Sequence, residues 1–415
     1  MKLKNSIFII ILVFVTLFSS WMVPSFVKKM TDDSRAYPLM YYSSRLKELC
    51  IIDFRENKEA FMDIKGNVYP RLKYDSLLPL LNFRQLAMDG TMPDSIDGYA
   101  MDIKQLRTKQ VMFRFRPADV FAPLPKMGVL LEAMPKRGKL QLPGDYFRME
   151  DDGITFVDAE TNSVNVTKSH VFTKEMKKKG FQFPVKNYWG NPTTRKSYEE
   201  GYFCLDNNNE LYHLKMVNGR PFVKNTGIGQ RVGLRWFVMS EVSDKRFYGY
   251  VFGNNGEMGI LESTEDGGYN FLPMEIRPID ISKDEVTILG NILYWTVKVS
   301  DSSGMDCYGL NSSDLRALSS YHQERKRVLW DEISEYLFPV VISPESSNSG
   351  HIGLYVDLFS YKAFALSLLM ALGSFVFIRK RLSLQKQIFI AVMVFFTGLS
   401  GLIALFFVPY NRFDK

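Results

Sequence analysis

Long uncharged apolar runs lie at both ends of the chain, whereas short apolar runs separated by turn residues fill the middle. The long runs cover residues 7–23, 363–378 and 388–408. A helix rises about 1.5 Å per residue and a hydrocarbon core is about 30 Å thick, so each run approaches or reaches the length of a membrane span. The pattern predicts three transmembrane helices flanking a large middle region.

Of the first two runs, residues 363–378 are the one that needs neighbouring residues to cross the membrane. Residues 363–378 cross fully only if the preceding residues 357–361 extend the helix and Lys362 snorkels to the interface. The run at 7–23 ends at Pro24, and Trp21 is placed for an interface. A cleaved signal peptide is the alternative interpretation of this first run, and it exports the middle region equally well.

Positive charge between the last two spans predicts the orientation. Four basic residues and no acid lie in the short loop 379–387, and such loops stay in the cytoplasm. We therefore expect a cytoplasmic N-terminus with a first helix over residues 1–27, an exported middle, and an exported tail at 410–415, which are periplasmic in a bacterial inner-membrane protein. The residues expected to determine this topology are Arg379, Lys380, Arg381 and Lys386.

The middle region, 54–320, reads as short strands joined by tight turns. Three segments that begin at 153, 201 and 249, and are thus 48 residues apart, each contain an apolar strand, an Asp/Asn-rich turn and a second strand. Looser copies begin at 60, 111 and 291. This spacing predicts a mainly β, β-propeller-like domain of about six to seven blades. Another all-β arrangement, such as an antiparallel sandwich, remains the alternative.

The segments on either side of this domain read as helix and linker. Residues 28–53 are expected to be a connector with a short helix at 44–49. Residues 321–353 are expected to hold an amphipathic helix at 322–337, ended by Pro339, and a linker to the membrane hairpin at 354–409. The helix either packs on the β domain or lies on the membrane surface.

Composition and residue spacing argue against nucleic-acid binding, a disulfide framework and a metal site. The net charge of +7 includes the basic membrane loop, and the remaining charges are largely interspersed, so no nucleic-acid partner is expected. Cys50, Cys204 and Cys307 are too few for a disulfide framework or a zinc site; one bridge or three buried thiols are both compatible with their surroundings. The four histidines share no metal-ligand spacing.

Two segments resemble ligand-binding motifs but do not match their required residues. Residues 227–233, GIGQRVG, have the wrong spacing for a dinucleotide fingerprint and lack a βαβ context. The segment that begins at Asp206 resembles a calcium loop, but Leu211 and Val217 stand where glycine and glutamate are required. We therefore predict no catalytic residue, no metal and no cofactor, and leave the small-molecule ligand open.

The predicted spans contain no charged residue or histidine, which disfavours ion or proton transport by this chain alone. They do carry small residues at spacings that suit helix packing, either within the hairpin or against a partner subunit. These residues are Ser367, Ala371, Thr397, Gly398 and Gly401.

The order of anchor, large exported β domain and C-terminal hairpin, together with the stretch LYVDLFSYKAFALSLLMAL leading into IRKR at 354–381, resembles an uncharacterised family of Bacteroidetes-type inner-membrane proteins. The resemblance covers the whole length but includes no catalytic motif. Because members of that family lie near ABC-transporter genes, it implies an accessory subunit in the lipid bilayer whose partner is an ABC-type ATPase or permease.

Three functions are compatible with these observations. The favoured one is a non-enzymatic, membrane-anchored periplasmic binding or scaffold subunit of a membrane complex. The second is an extracytoplasmic enzyme with an active site in the propeller pocket, for example one acting on glycans. The third, an inward-signalling sensor, is disfavoured because the expected cytoplasmic segments are short.

Overall fold

The chain divides into two compact units, each described here by itself. Pro38–Glu324 form one unit, which we call the β domain, and Met1–Tyr37 with Arg325–Lys415 form the other, which we call the helical unit. The computed structural model describes residues 2–31, 37–54, 60–122, 124–125, 127–344, 352–379 and 382–407.

The long apolar helices belong to the helical unit, and the helices of the β domain are short. The longest of the latter, α6, buries Phe172 and Met176, which lie four residues apart on one face. The helices of the described chain are α1 (Lys2–Thr31), α2 (Arg71–Leu77), α3 (Phe83–Met88), α4 (Ile103–Thr108), α5 (Pro117–Val120), α6 (Val166–Lys178), α7 (Leu329–Leu337), α8 (Tyr361–Ile378), α9 (Leu384–Thr397) and α10 (Leu399–Phe407).

The named strands pair antiparallel throughout, and most neighbours are joined by short turns. The strands are β1 (Leu39–Ser43), β2 (Glu48–Asp53), β3 (Ala60–Asp63), β4 (Ser95–Ile96), β5 (Tyr99–Ala100), β6 (Val111–Phe115), β7 (Met127–Gly128), β8 (Asp145–Met149), β9 (Ile154–Asp158), β10 (Asn187–Gly190), β11 (Tyr202–Leu205), β12 (Leu211–Val217), β13 (Arg220–Asn225), β14 (Leu234–Met239), β15 (Phe247–Gly253), β16 (Met258–Ser263), β17 (Tyr269–Pro273), β18 (Glu285–Gly290), β19 (Tyr294–Ser300), β20 (Gly304–Asn311), β21 (Ala317–Glu324), β22 (Val340–Ser343) and β23 (Tyr355–Phe359).

Five sheets of three or more strands make up the β domain. The first holds β1–β3, the second β7–β9, the third β10–β13 and the fourth β14–β17. The fifth holds β18–β21, and β6 is added beside β18 with Val111 opposite Gly290. None of these sheets, as far as their strands are described, closes into a barrel.

Aromatic side chains fill the spaces between the third, fourth and fifth sheets. Phe113 of the fifth sheet stacks on Tyr250 of the fourth with ring centroids 3.8 Å apart. Phe203 of the third sheet meets Phe237 of the fourth at 4.8 Å. Because the fourth sheet is covered on both faces, its inner strands β15 and β16 are mostly buried and read as apolar runs instead of alternating patterns.

The first and second sheets extend this packing at its two ends. The backbone N–H of Tyr42 in the first sheet donates to the hydroxyl of Thr296 in the fifth at 2.9 Å. Phe147 of the second sheet meets Tyr202 of the third edge to face, with centroids 5.1 Å apart. The sheets of the β domain therefore pack in the order second, third, fourth, fifth, first.

The structure confirms the strand-turn-strand unit at three of the repeat positions. The segments from 201, 249 and 291 contain the hairpins β11–β12, β15–β16 and β19–β20. In the segment from 153 the second element is α6 and not a strand, since Asn165 caps a helix by accepting from the Lys168 N–H at 3.0 Å. The copies at 60 and 111 supply single strands, β3 in the first sheet and β6 in the fifth.

Two predicted helices differ from the structure. Residues 44–49 form a turn and the start of β2, and β1 and β2 belong to the β domain instead of a connector. The helix expected from 322 begins only at Leu329, because Asp331 caps its start by accepting from the Val328 N–H at 3.0 Å. His322 instead lies in β21, where its Nδ1 is 2.7 Å from Oδ1 of Asp306.

In the helical unit, two of the described helices are long and apolar enough to cross a membrane. They are Ser6–Thr31 within α1 and Tyr361–Ile378, which is α8. The helix of the first run continues through Pro24, where proline removes one backbone hydrogen bond and the Ser25 hydroxyl donates to the Trp21 carbonyl at 2.7 Å. The residues before Tyr361 do not extend α8, because they form β23.

The predicted third span is not one helix. It is divided into α9 and α10 by Gly398, whose φ of +59° and ψ of −131° are open to glycine and strained for other residues. A β-carbon on Gly401 would lie 3.1 Å from Cα of Val394, although seven residues of a continuous helix span about 10 Å. The chain therefore folds back at Gly398, and α10 packs beside α9.

Candidate ligand-binding cleft

Two tryptophans occupy equivalent places in neighbouring sheets of the β domain. Trp189 lies on β10, the first strand of the third sheet, and Trp236 lies on β14, the first strand of the fourth. Their rings meet edge to face at 84°, with centroids 5.5 Å apart. Because paired strands fix the direction of each side chain, the two rings form a rigid aromatic wall.

A second wall comes from the segment between α5 and β8. The hydroxyl of Tyr188 donates to the carbonyl of Pro125, and that of Tyr202 donates to the carbonyl of Val129 at 3.1 Å. Gly128 permits close approach, since a β-carbon there would lie 2.4 Å from Cζ of Phe147. These contacts tie the segment to the second and third sheets.

The walls enclose a cleft of about 470 Å³, a volume within the usual range for small-molecule sites. Its polar groups are few. Arg114 pairs with Glu285 at 3.3 Å, and Asp119 accepts from the backbone N–H of Arg116 at 2.9 Å. Apart from the tryptophans, the described apolar side chains that line the cleft include Val120, Leu124, Met127, Val238 and Met239.

This lining suits a ligand with a flat or apolar face. The indole nitrogen of Trp189 is buried and has no acceptor among the described residues. Asp119 is the one carboxylic acid among the described lining residues, whereas glycoside hydrolysis by the usual mechanism uses a pair. An apolar, aromatic lining with few polar groups is the usual composition of a small-molecule site.

A second cleft, of about 460 Å³, lies beside an arginine whose charge is already compensated. Arg277 donates to Asp284 at 2.7 and 2.9 Å and to Asp306 at 2.7 Å. Hydrogen bonding to Asp284 raises the pKa of Arg277 and thus favours its charged form. This ion cluster ties the connection between β17 and β18 to the fifth sheet.

A buried charge cluster connects the third and fourth sheets. Nζ of Lys196 lies 2.8 Å from Oε2 of Glu199 and 2.7 Å from Oε2 of Glu241, and the three side chains are 7, 2 and 1 % exposed. Burial raises the pKa of Glu199, although the ammonium of Lys196 opposes that shift. One lysine therefore forms ion pairs with two acids in the interior. These ion pairs hold the third and fourth sheets together.

His213 is buried between the third and fourth sheets in an aromatic setting. Its ring stacks on Phe203 with centroids 4.3 Å apart. Nε2 lies 2.5 Å from the carbonyl of Glu200, which can only accept, so Nε2 carries the proton and Nδ1 accepts from the hydroxyl of Tyr269 at 2.7 Å. Burial, with a smaller contribution from Lys215, lowers the pKa of His213 to about 3.

This environment predicts a pH-dependent stability. Since the folded state disfavours protonation, the contribution of His213 is complete above the unfolded pKa of about 6.5 and declines as the pH falls towards 3. We expect the β domain to lose about 2 kcal/mol of its free energy of unfolding between pH 7 and pH 5 from this residue. Denaturant unfolding of the full chain in detergent at both pH values measures the loss.

Matched histidine variants isolate that effect. His213→Gln is expected to remove most of the pH-dependent loss, although it lowers stability at pH 7, whereas His170→Gln at an exposed position should leave the loss unchanged. An equal pH dependence in wild type and His213→Gln would show that His213 is not responsible.

The predicted topology residues fall partly within the described chain. Arg379 follows α8 as an exposed C-cap residue, and Nζ of Lys386 lies 5.1 Å from the centre of the Phe8 ring. The start of α1 and the start of α9 are therefore neighbours in the helical unit. Lys380 and Arg381 lie outside the described residues.

The structure brings several of the predicted packing residues together. Ser367 and Ala371 are buried on α8, and a β-carbon on Gly398 would lie 3.0 Å from Oγ of Ser367. Gly401 faces Thr397, whose hydroxyl donates to the carbonyl of Met393 at 2.6 Å. Gly398 and Gly401 thus allow the fold-back of α10, a role that the predicted straight span did not include.

The three cysteines are buried free thiols, so the disulfide left open by the sequence is not formed. Burial raises the pKa of Cys50 and of Cys307 to about 12, and it also raises that of Cys204. Over the part of the chain that the structure describes, no group of three His, Cys, Asp or Glu residues could hold a metal ion.

The sequence predictions did not include the aromatic cleft. A usable signal was present, because Trp189 and Trp236 recur with nearly the spacing of the repeat, in the strands NYWG and LRWFVM. Each is the first strand of its sheet, whereas the predicted repeat units began at the second strand.

The sequence profile of a family described as a domain of unknown function, DUF4857, matches residues 39–310. This match covers more than half of the chain and most of the β domain. No curated protein matches the chain.

Proposed function

We infer that this chain, which belongs to the DUF4857 family, is a membrane-anchored binding subunit of a membrane protein complex, with a β domain that faces the periplasm of a bacterial inner membrane. The cleft beside the aromatic wall of Trp189 and Trp236 carries the proposal. It offers a preformed apolar volume, a rigid aromatic wall and a few polar groups, which are the usual parts of a small-molecule site.

The proposed orientation is supported by the helical unit. α1 and α8 are long and apolar enough to span, and the contact between Phe8 and Lys386 joins the start of α1 to the region that follows α8. The basic residues at 379–386 favour the cytoplasmic side for the region that follows α8, and therefore also for the start of α1. The β domain, which lies between α1 and α8 in the chain, then lies on the opposite side.

We also propose that the five sheets are blades of a propeller-like ring. Support comes from the consecutive four-stranded meanders and from the starts of β10, β14 and β18, which are about 50 residues apart. In such a ring the first strands line the centre, and the cleft lies on two of them. The ligand would then bind at the centre of the ring.

The proposed partner is a membrane protein, namely an ABC-type ATPase or permease. The basic segment after α8 is the surface that this topology offers to a cytoplasmic ATPase. The exposed apolar side chains of α1, among them Ile10 and Phe14, are available to lipid or to a partner helix.

A blocking variant tests the binding proposal. Met127 lies on the cleft wall and is 57 % exposed, so Met127→Asp should fold and should place a charge in the apolar volume. We expect a disaccharide, an aromatic dipeptide or a short-chain acylglycerol to raise the unfolding midpoint of the wild-type chain. The Asp variant should lose at least tenfold in affinity for that ligand. At 100 times its Kd a ligand stabilises by about 2.7 kcal/mol.

Met134→Asp is the matched control, since Met134 is 58 % exposed and lies outside the cleft lining. It should respond to the ligand as the wild type does. The proposal is wrong if no ligand class shifts the wild type, or if the Met127 and Met134 variants respond equally.

A further inference from the structure

Exposed apolar side chains cluster on the segment that leads into α8. Phe359 is 68 % exposed and Tyr361 is 76 % exposed, although both lie beside the start of an apolar helix. Further exposed members precede them on and before β23: Ile352, Leu354 and Val356. Exposed apolar side chains this dense mark a surface that is covered in the working protein.

This segment is held rigidly on the first turn of α8. The backbone N–H of Ser360 donates to the carbonyl of Pro339 at 2.9 Å, and its hydroxyl donates to the carbonyl of Glu335 at 2.6 Å. Nζ of Lys362 lies 2.5 Å from Oε1 of Glu335. These contacts therefore fix the position of the β22–β23 hairpin and of α7 along the axis of α8.

The exposed cluster continues the exposed stripe of α8. Tyr361, Leu368, Leu372 and Val376 fall on one helical face and are all more than half exposed. α8 has 18 residues and is thus about 27 Å long, slightly less than the hydrocarbon thickness of about 30 Å. Phe359, which precedes α8, lies where this shortfall has to be filled.

We propose that the β22–β23 hairpin and α7 form a lipid-contacting platform in the outer interfacial layer of the membrane, with Val356, Phe359 and Tyr361 inserted among the lipids. Aromatic side chains favour that layer, and Lys362 can reach the headgroups beside them. The platform rests on the proposed membrane insertion of α8, and it fixes the depth at which α8 sits.

Lipid is the occupant that the observations favour over a protein partner. The cluster is continuous with the exposed apolar face of α8. In a membrane-inserted α8 that face contacts lipid. The side chain of Tyr336 on α7 is also 53 % exposed and lies 5.9 Å from Nζ of Lys362, so a second interfacial aromatic stands beside the first turn of α8.

Spin labels on introduced cysteines in nanodiscs test the platform. Val356→Cys and Phe359→Cys report on the hairpin, Leu372→Cys on the middle of α8, and Ser302→Cys on an exposed turn of the β domain. The native thiols are buried and remain unlabelled. We expect the ratio of oxygen to nickel-complex collisions at 356 and 359 to lie between the high value at 372 and the low value at 302.

The outcomes separate the platform from the proposed function. The platform alone would be overturned if the ratio of oxygen to nickel-complex collisions were high at 372 but equally low at 356, 359 and 302. Low accessibility of 356 and 359 to both reagents would mean that a protein covers them, which also overturns it. A low oxygen ratio at 372 would overturn the membrane insertion of α8, and with it the platform.

Discussion

Replacing Lys196 by methionine should lower the free energy of unfolding of the β domain by about 3 to 5 kcal/mol, because it leaves two buried acids without their counter-ion. Glu199 and Glu241 are 2 and 1 % exposed and both lie within 2.8 Å of the lysine nitrogen. Denaturant unfolding of the purified full chain, followed by tryptophan fluorescence, measures the change.

Lys186→Met is the matched control, since Lys186 is exposed and its nitrogen bonds only Asn209 among the described contacts, at 2.7 Å. It should change stability by less than about 1 kcal/mol. The double variant Lys196→Met with Glu241→Gln removes one of the stranded charges and should recover part of the loss. A Lys196→Met protein as stable as the control would contradict the role assigned to the cluster.

Replacing Gly201 by alanine should destabilise the β domain by about 3 to 5 kcal/mol, through backbone strain and a steric clash together. Gly201 has a φ of +68°, and a β-carbon there would lie 2.1 Å from the carbonyl oxygen of Leu214. Since that oxygen belongs to the neighbouring strand β12, the third sheet has to move apart. The same unfolding assay reports the loss.

Gly219→Ala separates strain from clash. Gly219 has a similar φ of +73°, but nothing lies within 4 Å of the position that a β-carbon would take. We expect this variant to lose only about 1 to 2 kcal/mol. Equal losses in the two variants would mean that close packing against Leu214 contributes nothing.

The hairpins could be predicted because their signal is local. An apolar strand, an Asn- or Asp-containing turn and a second strand at regular spacing specify β11–β12 and β15–β16 without knowledge of distant contacts. The same reasoning failed for α6, since the choice between a second strand and a helix there depends on burying Phe172 and Met176 against the second sheet. Tertiary packing decided that element.

The cleft and the break in the last membrane run were harder to predict. Trp189 and Trp236 meet only because the third and fourth sheets pack side by side, and the wall around Pro125 comes from a distant part of the chain. The sequence predicted Gly398 as a helix-packing residue. Hydropathy cannot show that its backbone turns the chain back, because α9 and α10 are both apolar on either side of it.

The placement of the β domain across the membrane from the segment after α8 is the central claim, and thiol labelling tests it most directly. Ser302→Cys lies in an exposed β-domain turn, and Gln385→Cys lies in the exposed first turn of α9. In intact spheroplasts a membrane-impermeant maleimide should label position 302 and should reach position 385 only after permeabilisation. Labelling of 385 in intact spheroplasts, with 302 protected, would contradict the account.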